Sequence, residues 1–144
     1  MSDSVLGVVR PRIDAPEKVT GATRFAADGW VHALLHARLV LSTEPHARIL
    51  GIDGDAALAT PGVVAVLAAA DLPIATTGND RTAEPLAREE VVFDGQPVAI
   101  VVAESEEAAA DAVEAVVVEY EPLEAVVDVE EAMRPGAALA RLVD

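Results

Sequence analysis

Hydrophobic and polar residues alternate along residues 31–41, a pattern typical of a half-buried β-strand. The apolar side of this predicted strand carries Val31, Ala33, Leu35, Ala37, Leu39 and Leu41, and the other side carries His32, His36 and Arg38. Because successive side chains point to opposite faces of a strand, all six apolar residues share one face. We therefore expect that face to pack against the core.

Apolar runs bounded by turn residues predict five more strands along the chain. They cover residues 46–53, 63–67, 98–103, 116–123 and 125–129. The runs at 63–67 and 98–103 are apolar without alternation, which is typical of strands that are covered on both faces. The sequence therefore predicts a protein in which strands supply most of the core.

Three short helices are predicted between and after these strands. The first, residues 56–60, follows a helix cap at Asp53 or Asp55. The second begins after a cap at Ser105 and runs to about residue 116, with acidic residues in its first turn that suit the helix dipole. The third is a turn or two at 130–133. The alternation of strands and helices predicts an α/β or mixed α+β layer structure.

The chain length and the spread of turn residues predict one domain with two appendages. A chain of 144 residues suits a single core. Residues 1–19 contain two prolines and few periodic apolar positions, so we expect an extended arm. The compact domain is expected at 20–134, with a surface loop at 74–89, and residues 135–144 are expected to be a tail or linker.

The acidic composition narrows the classes of partner. Ten Lys and Arg against 25 Asp and Glu give a net charge of −15, which disfavours nucleic acid and anionic membrane surfaces. No apolar run approaches the roughly 18 residues of a membrane span, and the first ten residues lack a signal-peptide core. We therefore expect a cytoplasmic protein. Without cysteine, the chain has no thiolate ligands for a metal or an iron–sulfur cluster.

The three histidines are the first candidates for a metal site. On a helix, His32 and His36 would stand about 6 Å apart and could hold one metal ion, whereas on a strand their Cα atoms lie about 13 Å apart. The alternation around them favours the strand. His46, after Pro45, adds no consistent ligand spacing. The sequence therefore predicts no metal-binding residues.

Catalytic and cofactor-binding residues are also not predicted. Glu119 and Glu121 share one face of a predicted strand and could serve acid–base chemistry, but solvated charge is the favoured interpretation. The acidic pairs at 89–90, 106–107 and 130–131 are interpreted in the same way. Ser42 and Ser105 do not lie in a Gly-x-Ser-x-Gly elbow, and the single lysine, Lys18, cannot form a phosphate-binding loop.

The segment "DGQP", Asp94-Gly95-Gln96-Pro97, separates two apolar runs. Asp-Gly fits a tight turn, and Pro97 fits the first residue of a strand. No histidine, serine or lysine nearby completes a catalytic set. We interpret the segment as a strand connector with Gln96 exposed and Gly95 at a positive φ. The alternative is a loop that touches the ligand of a partner.

The order of segments from about residue 10 to 134 resembles a known domain. "VTG…RFAAD", "PHARI", "PGVVAVLAAADLP" and "GQPVA…VEYEPL" together resemble the N-terminal α/β hammerhead domain of the molybdopterin-binding subunit in the xanthine dehydrogenase and aldehyde oxidase family. The resemblance implies a mixed sheet with a few short packed helices. One departure is Leu41-Ser42-Thr43, where many relatives have Arg-Ser-Pro.

The resemblance also implies a function. Enzymes of this family hydroxylate aldehydes, purines or other N-heterocycles, or oxidise carbon monoxide, with a molybdopterin cofactor and partner iron–sulfur and FAD modules. Their catalytic residues lie in domains that follow the hammerhead, so none is carried over to this chain. The first hypothesis is a structural, interface-forming module of such an enzyme, inactive when isolated. The alternatives are a free-standing, non-catalytic binding module and a hydrolase built on paired carboxylates.

Overall fold

The structure is a computed structural model that describes residues 11–29, 31–73 and 84–139. The chain divides into two units, Met1–Ala33 and Leu34–Asp144. In the first unit, Ala15–Val19 form a short helix, α1, which corrects the prediction of a fully extended arm. Pro16 lies in the first turn of α1, where its missing N–H costs no hydrogen bond. The domain limits at residues 20 and 134 stay a prediction.

The second unit contains six strands and three helices among the described residues. In chain order they are β1 His36–Leu41, β2 Ala47–Asp53, α2 Asp55–Leu58, β3 Val63–Ala68, β4 Glu90–Val91, β5 Pro97–Ala103, α3 Glu106–Val113, β6 Val117–Pro122 and α4 Val129–Ala132. Five predicted strands and three predicted helices are thus confirmed in position. The predicted strand at 125–129 is wrong, because Asp128 instead accepts the N–H groups of Glu130 and Glu131 and caps α4.

The strands form two three-stranded sheets rather than one mixed sheet. One sheet has the order β1-β5-β3 and the other β4-β2-β6, and every pairing is antiparallel. The short strand β4 pairs with the start of β2, and β6 runs along the other side of β2. The prediction of an α/β (mixed α+β) fold with a few short packed helices is confirmed, and the strand pairing is antiparallel where a mixed sheet was expected.

The first strand is shorter than predicted and is buried on the opposite side. Ala33 has a φ of 56°, outside the range of strands, and β1 begins only at His36. Val40 is 6% exposed, whereas Leu39 and Leu41 are 46% and 50% exposed. The register places Val40 opposite Ala99, on the face that α3 covers. The expected inward face of this strand is therefore its exposed face.

One part of the core lies between β5 and α3, and other parts of it include Ala47 of β2, Val91 of β4 and Val98 of β5. Ala99, Val101 and Ala103 alternate along β5 and are fully buried, and Ala109 and Ala112 of α3 are also buried. Small side chains let the helix approach the sheet closely. This packing fixes which face of the β1-β5-β3 sheet the domain covers by itself.

The two ends of α3 agree only partly with the sequence. The Ser105 hydroxyl accepts the N–H of Ala108 at 3.1 Å, which confirms the predicted cap. The helix ends at Val113, earlier than expected, because the chain turns at Glu114 and Ala115 to enter β6.

The prediction of a surface loop at 74–89 is wrong for residues 86–87, which are buried. Residues 74–83 lie outside the described residues. In the part that follows, Leu86 and Ala87 are 2% and 1% exposed, and the Ala87 N–H donates to the Pro97 carbonyl at 2.8 Å. Residues 86–87 therefore belong to the core.

Candidate interface and the buried polar residues beside it

The turn before β5 is held to the end of β1 by two backbone hydrogen bonds. The Gly95 N–H donates to the Ser42 carbonyl at 2.9 Å, and the Ser42 N–H donates to the Gln96 carbonyl at 2.8 Å. Gly95 has a φ of 83°, which confirms the expected positive φ and explains why glycine occupies this position. The turn therefore connects β4 and β5 and is also fastened to β1.

Gln96 is buried, which corrects the expectation that it is exposed. Its side chain is 6% exposed, and its Oε1 accepts the N–H of Val92 at 2.7 Å. Its backbone N–H donates to the Phe93 carbonyl. A side-chain acceptor inside a turn closes it in the same way as a backbone carbonyl. The polar contacts of this turn thus point into the domain and support the connector interpretation.

Ser42 lies in the segment where this chain departs from the Arg-Ser-Pro of many relatives. It is 3% exposed, and its Oγ accepts the N–H of Glu44 at 3.0 Å. Leu41, the residue before it in the same segment, is half exposed. Ser42 therefore stabilises the turn after β1 and is not available as a nucleophile.

His46 is a buried residue with two close polar contacts, which the sequence did not predict. It is 4% exposed and lies just before β2. Its Nδ1 lies 2.6 Å from the Glu124 carbonyl oxygen, and its Nε2 lies 2.6 Å from Oε1 of Glu90. The Glu124 carbonyl can only accept and the Glu90 carboxylate accepts, so the geometry favours a ring that donates from both nitrogens. His46 therefore joins β4 to the segment that follows β6.

The pKa of His46 follows from these contacts. Burial on its own lowers the pKa of the imidazole, because it disfavours the charged form. The hydrogen bonds to the Glu124 carbonyl and the Glu90 carboxylate, with the negative charge of Glu90, outweigh that effect and raise the pKa above its usual value. The contacts of this buried ring thus favour its protonated form.

The other candidates from the sequence do not assemble into a site. His36 lies in β1, but His32 lies in a turn of the first unit, so the strand spacing proposed for the pair does not apply. Glu121 pairs with Arg48 across the β2–β6 ladder, as a surface ion pair. Lys18 pairs with Asp14 at 2.6 Å, and hydrogen bonds from Lys18 and Arg12 lower the pKa of Asp14.

Within residues 11–29, 31–73 and 84–139, no group of three or more His, Asp or Glu side chains is arranged to hold a metal ion. Among the same residues, no helix is both long and apolar enough to cross a membrane.

One face of the β1-β5-β3 sheet is apolar and lies opposite the face on which Val40, Ala99 and Val101 are buried. By register, Leu39, Ile100 and Leu67 lie side by side across the three strands, and Ala37, Val102 and Ala65 form the neighbouring row. We call these six residues the open face. Ala37 and Leu39 are exposed, and the other four are partly exposed. The open face is thus a contiguous apolar surface of the second unit.

Comparison with known proteins identifies the family. Residues 20–124 match the family described as "Aldehyde oxidase and xanthine dehydrogenase, a/b hammerhead domain". The chain is 42% identical over 142 residues to the carbon monoxide dehydrogenase large chain of Afipia carboxidovorans, with 94% of this chain and 17% of the relative covered. It is 35% identical to the nicotinate dehydrogenase large molybdopterin subunit of Eubacterium barkeri, with 90% of this chain and 31% of that subunit covered.

A solved structure gives the same result for the fold. The Cu,Mo-CO dehydrogenase in its carbon monoxide reduced state is similar with a TM-score of 0.78 and 39% identity, over 92% of this chain and 17% of that one. The chain thus spans about a sixth of the length of the carbon monoxide dehydrogenase chains that it matches. It belongs to the aldehyde oxidase and xanthine dehydrogenase family, in which it corresponds to the α/β hammerhead domain.

Proposed function

We propose that this chain is a structural, interface-forming module of a molybdenum-containing hydroxylase or dehydrogenase. The redox chemistry takes place in molybdopterin-binding segments that this chain does not contain. Its partners are those segments, together with iron–sulfur and FAD modules of the same enzyme. Nucleic acid and membrane surfaces are not partners, in line with the net charge of −15. A cytoplasmic location is part of this proposal.

The observation that carries the proposal is the open face. The other face of the same sheet is covered by α3 and fully buried at Ala99, Val101 and Ala103, while Leu39 on the open face is 46% exposed. Burying one large aliphatic side chain contributes roughly 1.5–3 kcal/mol. Six apolar side chains that form a contiguous surface mark a site of protein association rather than scattered exposure.

The residues of this chain do not fit the cofactors of the complete enzyme. Iron–sulfur clusters are held by cysteine thiolates, and the sequence has no cysteine. The described residues offer no cluster of three metal ligands. The side-chain oxygen of Gln96 is already hydrogen-bonded within the domain. We therefore assign no cofactor-binding or catalytic role to any residue of this chain.

The test of this proposal is the composition of the protein in its native cells. The gene that encodes the chain is tagged on the chromosome, and the tagged protein is purified from cells grown with molybdate. We expect molybdenum in stoichiometric amounts and dye-linked oxidation of a small-molecule substrate. A tagged protein that carries no molybdenum and no activity contradicts the proposal and favours a free-standing binding module.

A matched pair of substitutions tests the open face in the same preparation. Leu67→Glu places a charge on the open face, whereas Leu50→Glu changes a leucine that is 61% exposed on β2 and outside the open face. We expect the first variant to lose at least half of its bound molybdenum and the second to keep it, because a buried unpaired carboxylate is costly. Equal molybdenum content in the two variants contradicts an association through the open face.

A further inference from the structure

A second surface feature lies beside α3 and shares Leu39 with the open face. It is a cleft of about 550 Å³, lined on one side by residues 39–41 of β1 and on the other by residues 116–118 and Tyr120 at β6. Glu114, just after α3, is the charged residue of its lining. We call this feature the edge cleft.

The residues that line the edge cleft show that it runs along strand edges. Three consecutive residues, 39–41, line it from β1, and three more, 116–118, line it from the other side. Because successive side chains of a strand point to opposite faces, a cleft over one face would contact only every second residue. Contact with consecutive residues therefore places the cleft beside the strands and parallel to them.

Both of these edges are unpaired in the part of the chain that the structure describes. β1 is the outer strand of the order β1-β5-β3, and β6 is the outer strand of the order β4-β2-β6. Each of them is hydrogen-bonded to one neighbouring strand. An unpaired edge presents a row of backbone N–H and C=O groups that can accept another strand.

Tyr120 lines the edge cleft and also packs against the core. Its hydroxyl is buried and has no hydrogen-bond partner among the described residues. A buried tyrosine hydroxyl normally has a partner, because leaving it unpaired costs free energy. The cleft is thus lined mainly by apolar residues and open to backbone pairing at its edges, and the unpaired Tyr120 hydroxyl is buried beside it.

We infer that the edge cleft receives an extended segment of the molybdopterin-bearing part of the enzyme, which pairs as an added strand with the free edge of β1. The segment carries apolar side chains that meet residues 39–41 and 116–118. This inference rests on the proposed function, since it takes the occupant from the enzyme that the chain belongs to.

Charge and length favour this occupant over a second copy of the chain. Glu114 lies at the edge cleft, and the chain carries a net charge of −15, so another copy would bring like charge to a carboxylate. A segment with a basic residue opposite Glu114 is complementary. The chain also covers 17% of the carbon monoxide dehydrogenase large chain, so most of the length of such a relative lies outside the region it matches.

The experiment measures amide hydrogen exchange, residue by residue, in the purified molybdenum enzyme. In an edge strand, only alternate amides are bonded within the sheet, and the others exchange rapidly. We expect all amides of residues 36–41 to exchange slowly, with no alternation. Rapid exchange of alternate amides in an enzyme that contains molybdenum overturns the inference and leaves the proposed function standing.

Two variants and a reference sample complete the test. Val117→Glu, a residue 57% exposed in the edge cleft, should speed exchange at the unpaired β1 amides at least about tenfold, while Leu50→Glu should leave it unchanged. Unchanged exchange in Val117→Glu contradicts the inference. The same slow exchange in the 144-residue chain alone would place the occupant within this chain, and it also overturns the inference. Absence of molybdenum in the tagged protein contradicts the proposed function instead.

Discussion

At the scale of single residues, two buried polar side chains maintain the loops around the sheets. Gln96 supplies an acceptor to the Val92 N–H, and His46 donates to Glu90 and to the Glu124 carbonyl. Both are almost fully buried. A buried hydrogen bond contributes modestly when it is made, but losing one partner leaves the other unsatisfied at a larger cost. These residues are therefore structural rather than catalytic.

Replacing Gln96 with alanine should lower the free energy of unfolding by about 1–3 kcal/mol, because the Val92 N–H then loses its acceptor in a buried site. Asp94→Ala is the matched control, since Asp94 is an exposed residue of the same turn. Urea denaturation followed by circular dichroism measures both. If Gln96→Ala unfolds at the same urea concentration as Asp94→Ala, the hydrogen bond seen in the turn does not stabilise the domain.

Gly95→Ala should also destabilise the domain, by about 1–2 kcal/mol, because its φ of 83° is strained for any residue with a Cβ. A Cβ at this position meets no atom within 4 Å, so the cost comes from the backbone alone. Gly51→Ala is the control, because there the nearest atom is Glu119 Oε2 at 3.9 Å. Thermal denaturation should show a lower melting temperature for the first variant only, and equal losses in both would contradict the backbone argument.

At the scale of elements, the link through His46 holds the β4-β2-β6 sheet together at one end. β4 has only two residues and pairs with β2 at two positions. The His46–Glu90 contact, between residues 44 apart in sequence, adds a second attachment for β4. The contact to Glu124 attaches the chain where it leaves β6. The stability of this sheet should therefore depend on the protonation of His46.

The raised pKa of His46 determines whether the stability of the domain rises or falls with pH. The stabilisation is fully present below the unfolded pKa, about 6.5, and is lost as pH rises through the higher pKa of the folded state. Between about pH 6 and pH 8, the free energy of unfolding should fall more steeply for the unsubstituted chain than for His46→Gln. Urea titrations at several pH values measure both slopes. Parallel curves for the two proteins would show that folding does not raise the pKa of His46.

The elements could be predicted from the sequence where the signal was local. The continuous apolar run of β5 and the serine cap of α3 depend on neighbours in the chain, and both are confirmed. The predicted inward face of β1 was wrong, because alternation shows which residues share a face but not which of the two faces α3 covers. His46 was missed because its partners lie 44 and 78 residues away. Gln96 was taken as exposed because its burial depends on the packing of its turn against β1.

At the scale of the whole molecule, the chain corresponds to one domain of much longer relatives. It spans 17% of the carbon monoxide dehydrogenase large chain and 31% of the nicotinate dehydrogenase subunit. Its own core consists mainly of alanine and valine, while several leucines are exposed. A small core with an apolar outer surface is typical of a module that gains stability from its neighbours.

The 144-residue chain produced by itself should contain no molybdenum, iron or flavin and should not oxidise aldehydes or purines with a dye acceptor. The reason is that it has no cysteine and that its described residues form no ligand cluster. Elemental analysis, the visible spectrum and a dye-reduction assay measure this, with the enzyme purified from native cells as the positive control. Turnover by the isolated chain would show that a catalytic group has been overlooked.

The most direct test of the central claim, that the open face is covered in the molybdenum enzyme, is thiol labelling. These 144 residues contain no cysteine, so Ala37→Cys gives them a single thiol, on the open face, and Ala56→Cys gives them one on exposed α2 as the matched control. In the molybdenum-containing enzyme, we predict that maleimide modifies position 37 at least about tenfold more slowly than position 56, because local opening must precede the reaction. Equal rates at the two positions would contradict the claim.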